Sequence, residues 1–189
     1  MRIIAGRHRG RRLVAPTGPA TRPTADRVRQ ALFDMLWHAP WAGRAAVDGA
    51  RVLDAFAGTG ALGLEALSRG AAQATFLETD RTALQALRAN VEACREAERC
   101  VVLPADATKP PRAPAPCTLA FLDPPYREGL VGRALQALAA AGWIAPGALV
   151  CAETGADAAA APPPGFMLLA ERTHGAARVL CLRWEEDAA

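Results

Sequence analysis

Residues 52–63 read V-L-D-A-F-A-G-T-G-A-L-G: an apolar run of strand length, a turn punctuated by Gly58, Gly60 and Gly63, and the opening of a helix. Glycine lets the backbone turn tightly and lets a ligand come close to it, and a helix that starts in the turn presents free N–H groups to an acceptor. In an open α/β sheet, the crevice beyond the carboxyl end of such a strand is where a nucleotide-like ligand is expected. The spacing is formally G-x-G-x-x-G, and Glu78, twenty positions after Gly58, stands where a carboxylate can hydrogen-bond a ribose. By itself the turn serves a dinucleotide equally well.

Outward from that turn the chain alternates apolar runs with helical periodicity, the pattern of a parallel sheet covered on both faces. Strands are predicted at 51–56, 74–79, 100–105, 117–122 and 148–153. Between the second and third, Leu84, Leu87, Val91 and Cys94 form a helix stripe; after the fourth, Leu130, Ala134 and Leu138 do the same, with Val131 and Leu135 beside them. The tail from Phe166 to Trp184 alternates around Gly175 as a hairpin rather than another crossover. Upstream, residues 2–14 predict two short strands around a Gly-Arg turn with basic positions outward. Thr24 is the expected N-cap of a helix that carries Asp26 in its first turn, has Val28, Leu32, Met35 and Leu36 on one face, and ends before Pro40. The expected fold class is therefore α/β: an open, mostly parallel sheet closing with a C-terminal antiparallel hairpin. A basic hairpin and helix, residues 1–40, are expected to pack on the same domain, whose remainder is residues 41–189. The proline-rich stretches 110–116 and 162–164 are expected to be loops.

Asp54 shifts the reading of the turn. A carboxylate at the strand tip is awkward beside a pyrophosphate but suits the cationic amino acid moiety of S-adenosylmethionine, directly or through a water. Asp106, at the end of the third strand, is placed to accept a hydrogen bond from an adenine amino group, or simply to serve as a helix N-cap ahead of Ala107 and Thr108. The fourth strand, C-T-L-A-F-L, runs straight into Asp123-Pro124-Pro125-Tyr126. Two prolines stiffen this loop and remove N–H donors, leaving the Asp123 carboxylate and the Pro124 carbonyl as acceptors. An exocyclic base amine fits them. Bonding to both acceptors localises the nitrogen lone pair, and Tyr126 offers a stacking face. The nitrogen can then attack a sulfonium methyl in line, without metal or covalent enzyme intermediate.

The 189 residues are 51% hydrophobic and 22% charged, enough for one globular domain with its own core. The apolar runs are broken well before membrane-spanning length, and Met1 leads into arginine-rich sequence, so the expected location is the cytoplasm. Five scattered cysteines without a C-x-x-C pair argue against a disulfide framework or a zinc site; they are expected to be small core residues. His8, His38 and His174 are expected at surface or capping positions, and Trp37 and Trp41 in packing. The net charge of +3 is uneven: residues 1–30 hold eight arginines against Asp26, so they carry +7 and the rest −4. A basic arm on a mildly acidic body fits a polyanionic partner, because clustered guanidinium groups neutralise phosphates and release counterions.

These residues carry a family resemblance. D-A-F-A-G-T-G-A-L-G-L-E-A (54–66) followed by D-P-P-Y resembles the class I S-adenosylmethionine-dependent methyltransferases that act on exocyclic amino groups of bases. R-I-I-A-G-R-H-R-G-R-R-L (2–13) with T-R-P-T-A-D-R-V-R-Q-A-L-F-D-M-L (21–36) resembles the RsmD family, bacterial 16S rRNA guanine-N2 methyltransferases of the guanine 966 type. The resemblance implies a Rossmann-like class I methyltransferase fold and S-adenosylmethionine as cofactor. Asp54, Gly58, Gly60 and Glu78 would hold it, with Asp106 near its adenine; Thr24 and Arg27, with Arg22, would help close its site. Asp123, Pro124, Pro125 and Tyr126 would form the target-base loop, and Arg7, Arg9, Arg11, Arg12 and Arg22 would face RNA. The implied partner is 16S rRNA within a small ribosomal subunit or its assembly intermediate, acted on by a metal-free monomer. Two other readings use the same features. A DNA adenine or cytosine amino methyltransferase could employ the same loop, and a nicotinamide-dependent dehydrogenase the same glycines, though no hydride-transfer set accompanies the later strands.

Overall fold

The computed structural model of the protein describes residues 1–15, 23–125, 129–155, 161–174 and 177–186. The apolar runs become five parallel strands: β1 (Arg51–Ala55), β2 (Gln73–Glu78), β3 (Cys100–Pro104), β4 (Cys117–Leu122) and β5 (Ile144–Gly155). The expected tail hairpin supplies β6 (Phe166–His174) and β7 (Ala177–Trp184), antiparallel to each other, with β7 antiparallel to β5; Gly175 lies outside the described residues. Among the described residues these strands form one sheet in the order β3-β2-β1-β4-β5-β7-β6. Chain order runs from β1 towards β3 on one side and from β4 towards β5 on the other. The topological switch point, where open α/β sheets bind ligands, therefore lies between β1 and β4.

Helices cover both faces: α1 (Pro23–His38), α2 (Ala61–Ser68), α3 (Arg81–Cys94) and α4 (Leu130–Ala140). Side chains alternate across a strand, so Val52, Phe76, Phe121 and Cys151 pack with Leu32, Phe33, Leu64 and Leu87 of α1, α2 and α3. Leu53, Leu77, Ala120 and Val150 pack on the other face with Ala134, Leu135 and Leu138 of α4. The predicted stripe Leu84, Leu87, Val91 and Cys94 is buried along α3. β5 begins earlier than expected. Its pairing with β4 skips from Cys117–Ile144 to Leu119–Leu149, and Gly147, at φ +76°, turns the chain inside the irregularity.

The N-terminal extension departs from its expectation in three ways. In place of two strands there is a single antiparallel bridge, Arg2 with Arg12, because residues 5–10 turn against α2 instead of continuing a ladder. The first helix starts at Pro23, whose ring presets a helical φ and needs no N–H partner, so Thr24 is its second residue rather than its N-cap; the Thr24 side chain lies outside the described residues. Not all of the arm's charge faces outward either. Arg29 is buried, donating to Asp26 and to the Arg2 carbonyl, with its Nε 3.7 Å from the fully buried Glu65.

What bolts the arm down is buried polar chemistry. The Glu65 carboxylate accepts from the Ile4 and Ala5 amides at 2.8 and 3.0 Å and from Arg69, while Ser68 Oγ accepts from the His8 amide. His8 is no free surface histidine, since its ring meets the buried Glu96 at 2.5 Å. Asn90, fully buried, accepts from the Val14 amide and donates to the Val14 and Thr59 carbonyls, tying the arm to the glycine turn. Asn90→Ala strands those groups without partners and is expected to cost about 1–3 kcal/mol, read as a lower urea midpoint; an unchanged midpoint would show that the clamp contributes nothing. Among the described residues, no helix is long and apolar enough to cross a membrane.

Candidate active site at the strand tips

Side-chain parity that puts Val52 and Phe76 against α2 and α3 carries Asp54, Glu78, Asp123 and Glu153 to the same face at the carboxyl ends of four adjacent parallel strands. The register arranges them. Asp54 pairs with Phe76 on one side and Phe121 on the other, so Glu78 and Asp123 stand two residues beyond it, flanking β1 about 10 Å apart across two strand spacings. Leu122 pairs with Ala152, which sets Glu153 level with Asp123. The result is a crevice with one buried carboxylate in its floor and carboxylates along its walls.

The crevice opens because the chain leaves the sheet directly after β1. Phe56 takes a left-handed φ of 62°, unusual for a bulky residue, and Gly58 and Gly60 follow at 53° and 76°. The glycines are required for different reasons. A Cβ at Gly60 would lie 2.3 Å from Leu87 Cδ1, and one at Gly63 would lie 2.4 Å from Phe76 Cε1, so these two seat the turn and α2 on the sheet. A Cβ at Gly58 would meet nothing within 4 Å, which leaves its backbone open to a ligand. Backbone amides hold the carboxylates: Gly63 N–H donates to Asp54 Oδ2 at 2.9 Å and Gly58 N–H to Glu78 Oε2 at 2.7 Å, while Thr79 and Asp80 amides donate to Glu78 Oε1.

Packing acids this closely has an electrostatic cost. Burial pushes the Asp54 carboxyl up to about 8; the Gly63 amide opposes this, and Asp123 and Glu78 reinforce it. Desolvation also pushes the carboxyl of Asp123, itself an exposed residue, up to about 7, with Glu153 adding to it. Asp106 behaves oppositely. Exposed, it accepts from the Thr108 amide and hydroxyl, both at 2.8 Å, and these bonds hold its carboxyl below the ordinary range, with Lys109 and Arg133 assisting against slight desolvation. A cation placed between the Asp54 and Asp123 carboxyls would draw both back towards ionisation. Among the described residues, no three His, Cys, Asp or Glu side chains converge to hold a metal ion.

A family model described as Conserved hypothetical protein 95 matches residues 1–183. A relative from Escherichia coli (strain K12), named Ribosomal RNA small subunit methyltransferase D, is 42% identical over 154 residues, covering 82% of this chain and 74% of its own. The chain belongs to the RsmD family. A Haemophilus influenzae relative of the same name is 37% identical over 179 residues, covering 93% of this chain and 89% of its own. A solved structure of the Escherichia coli protein yhhF superposes with a TM-score of 0.83 at 36% identity, covering 99% of each chain. The fold of this RsmD-family protein is the Rossmann-like class I methyltransferase fold.

Within this RsmD-family chain the fold brings Asp54, Gly58, Glu78, Asp123 and Pro124 to neighbouring strand tips, with Gly60 behind them in the turn. Pro124 is buried and Pro125 exposed; Tyr126 lies outside the described residues, as does Arg22. Asp106 stands on the loop after β3, two strands away from β1 in the sheet. Arg7, Arg9, Arg11, Arg12 and Arg27 are exposed, although Arg7 lies 3.7 Å from Glu96. Glu153 and Asn90 did not emerge from the sequence. Glu153 ends a strand as Asp54 does, which was its available signal; Asn90 interrupts the apolar stripe of α3 between Leu87 and Cys94.

Proposed function

We propose that this RsmD-family protein methylates the exocyclic N2 amino group of a guanine in 16S rRNA, using S-adenosylmethionine and working as a cytoplasmic monomer on the small ribosomal subunit or an assembly intermediate. The observation that carries the reading is the juxtaposition of the buried Asp54, the open Gly58 backbone and the Asp123-Pro124-Pro125 segment at the switch point. The donor set fits the cofactor: Asp54 suits its cationic amino acid moiety, Gly58 and Gly60 leave room for close approach, Glu78 suits ribose hydroxyls and Asp106 an adenine amine. When bound, S-adenosylmethionine supplies an electrophilic methyl group for direct in-line transfer to the amine nitrogen.

The chain's own residues do the remaining work. The Asp123 carboxylate and Pro124 carbonyl accept from the guanine amine, drawing its lone pair out of the ring and orienting it. Tyr126 would stack on a base taken out of its helix, and the arginine arm would read RNA shape and phosphate.

Supplying labelled cofactor with a panel of nucleic acids tests the substrate. Label is expected in 16S rRNA or small subunits, at N2-methylguanine on nucleoside mapping. Label in duplex DNA and none in ribosomal RNA would instead make the protein a DNA amino methyltransferase. Calorimetry with S-adenosylhomocysteine and with NAD, expected to show binding of the first alone, separates this reading from a dehydrogenase.

A further inference from the structure

The arginine arm packs on the α1, α2 and α3 face of the sheet, so it accounts for cationic surface on one side of the crevice only. On the opposite face, a groove of about 500 Å³ runs between the loop after β3 and α4, lined by Thr108, Lys109, Gly132, Arg133, Gln136 and Pro163. Lys109, Arg133 and Gln136 are exposed, and among the described residues no acid lines the groove. Among the described residues neither cation has an ion-pair partner, in contrast to Arg7, Arg29, Arg69, Arg99 and Arg178. Asp106, the carboxylate that feels both charges, is already engaged by the Thr108 amide and hydroxyl. Two like charges set over an open groove repel each other until an anion lies between them. Arg133 sits in the first turn of α4, the helix that follows Asp123-Pro124-Pro125 along the chain and packs on the face of the sheet away from the arm.

We infer that the Lys109–Arg133 groove is a second binding site for RNA backbone phosphates, so that the substrate strand is held on both faces of the sheet while its base enters the crevice between them. This rests on the reading of the protein as an rRNA methyltransferase. A strand presenting one nucleotide to Asp123 has backbone on either side of that nucleotide, and contacts on one side alone leave the other free to swing. Phosphate contacts position the strand without specifying its sequence.

The test is the double variant Lys109→Ala/Arg133→Ala, with both changes at exposed positions. At saturating cofactor its KM for 16S rRNA is expected to rise about tenfold with kcat unchanged, and the salt dependence of log KM to become shallower by about one unit per lost phosphate contact. S-adenosylhomocysteine affinity is expected to stay the same, and the charge-conserving Lys109→Arg/Arg133→Lys variant to restore KM. A double alanine variant with wild-type KM and salt slope overturns the inference. So does a parallel loss of S-adenosylhomocysteine affinity, which would assign the groove to the cofactor site. Saturable binding of inorganic phosphate, lost in the double variant, would make it a free-phosphate site. Wild-type protein that labels no RNA would sink the underlying reading, whereas active wild type with an unaffected double variant sinks the groove alone.

Discussion

Asp123→Ala is expected to lower methyl transfer to 16S rRNA about 10²–10³-fold while S-adenosylhomocysteine affinity stays close to that of the wild type, because in the proposed reaction the carboxylate acts on the amine and not on the cofactor. Its raised pKa gives the prediction a pH signature. The ionised form accepts through both oxygens and brings the negative charge that draws out the amine's lone pair; the protonated form keeps only a weaker carbonyl acceptor and turns its other oxygen into an O–H donor. Desolvation and Glu153 put its titration at about 7 in the free protein, and a bound cation can only lower that value. With cofactor saturating, kcat/KM for RNA is therefore expected to fall on the acid side with a midpoint at or below about pH 7. Asp123→Asn, which cannot titrate, should lose that limb along with most of the rate. If its pH profile keeps the wild-type shape, Asp123 is not the acceptor.

Asp54→Asn is expected to weaken cofactor binding about 10–100-fold, the value of a charge-assisted contact, while making the unliganded protein more stable in alkali. Asp54 is 1% exposed and titrates at about 8 when folded, against an ordinary 3.8. A folded pKa raised this far means the native state holds a proton that the unfolded chain releases. The stability conferred by the protonated form is fully present below about pH 4 and is lost as pH rises through about 8. Asparagine keeps the Gly63 N–H bond through its carbonyl and never ionises. Thermal unfolding without cofactor should therefore show a higher midpoint for the variant at pH 9 and a difference that shrinks steadily towards pH 4. A wild type that is equally stable at pH 9 would remove burial as the cause of the shift. By the same linkage, wild-type affinity for S-adenosylhomocysteine should rise with pH up to about 8 and then level off.

Most of the fold was legible because its signals are short-range. The five apolar runs of strand length, the helical stripe from Leu84 to Cys94 and the alternating tail are written within ten or twenty residues, and each became the element expected. The glycine turn was legible for the same reason, since tight turning is a local property of Gly58 and Gly60. The misreadings came where local chemistry was overruled. Thr24 is a good cap in isolation, but Pro23 extends the helix past it. Residues 2–14 alternate well enough for a hairpin, yet hydrogen bonds to Glu65 and Ser68, some sixty positions away, turn them against α2.

Read as a string of residues, the chain already specifies an α/β fold with a glycine turn after its first strand, a proline-stiffened loop after its fourth and a surplus of arginine at its start. Periodicity, turn chemistry and charge are properties of neighbouring residues. It took the packed sheet to bring Asp54, Glu78, Asp123 and Glu153 into one crevice, to draw Arg29 inside the protein and to let Asn90 tie the arm to the glycine turn. Those relations depend on strand order and register, which arise when the whole sheet packs and burial fixes which face each side chain takes.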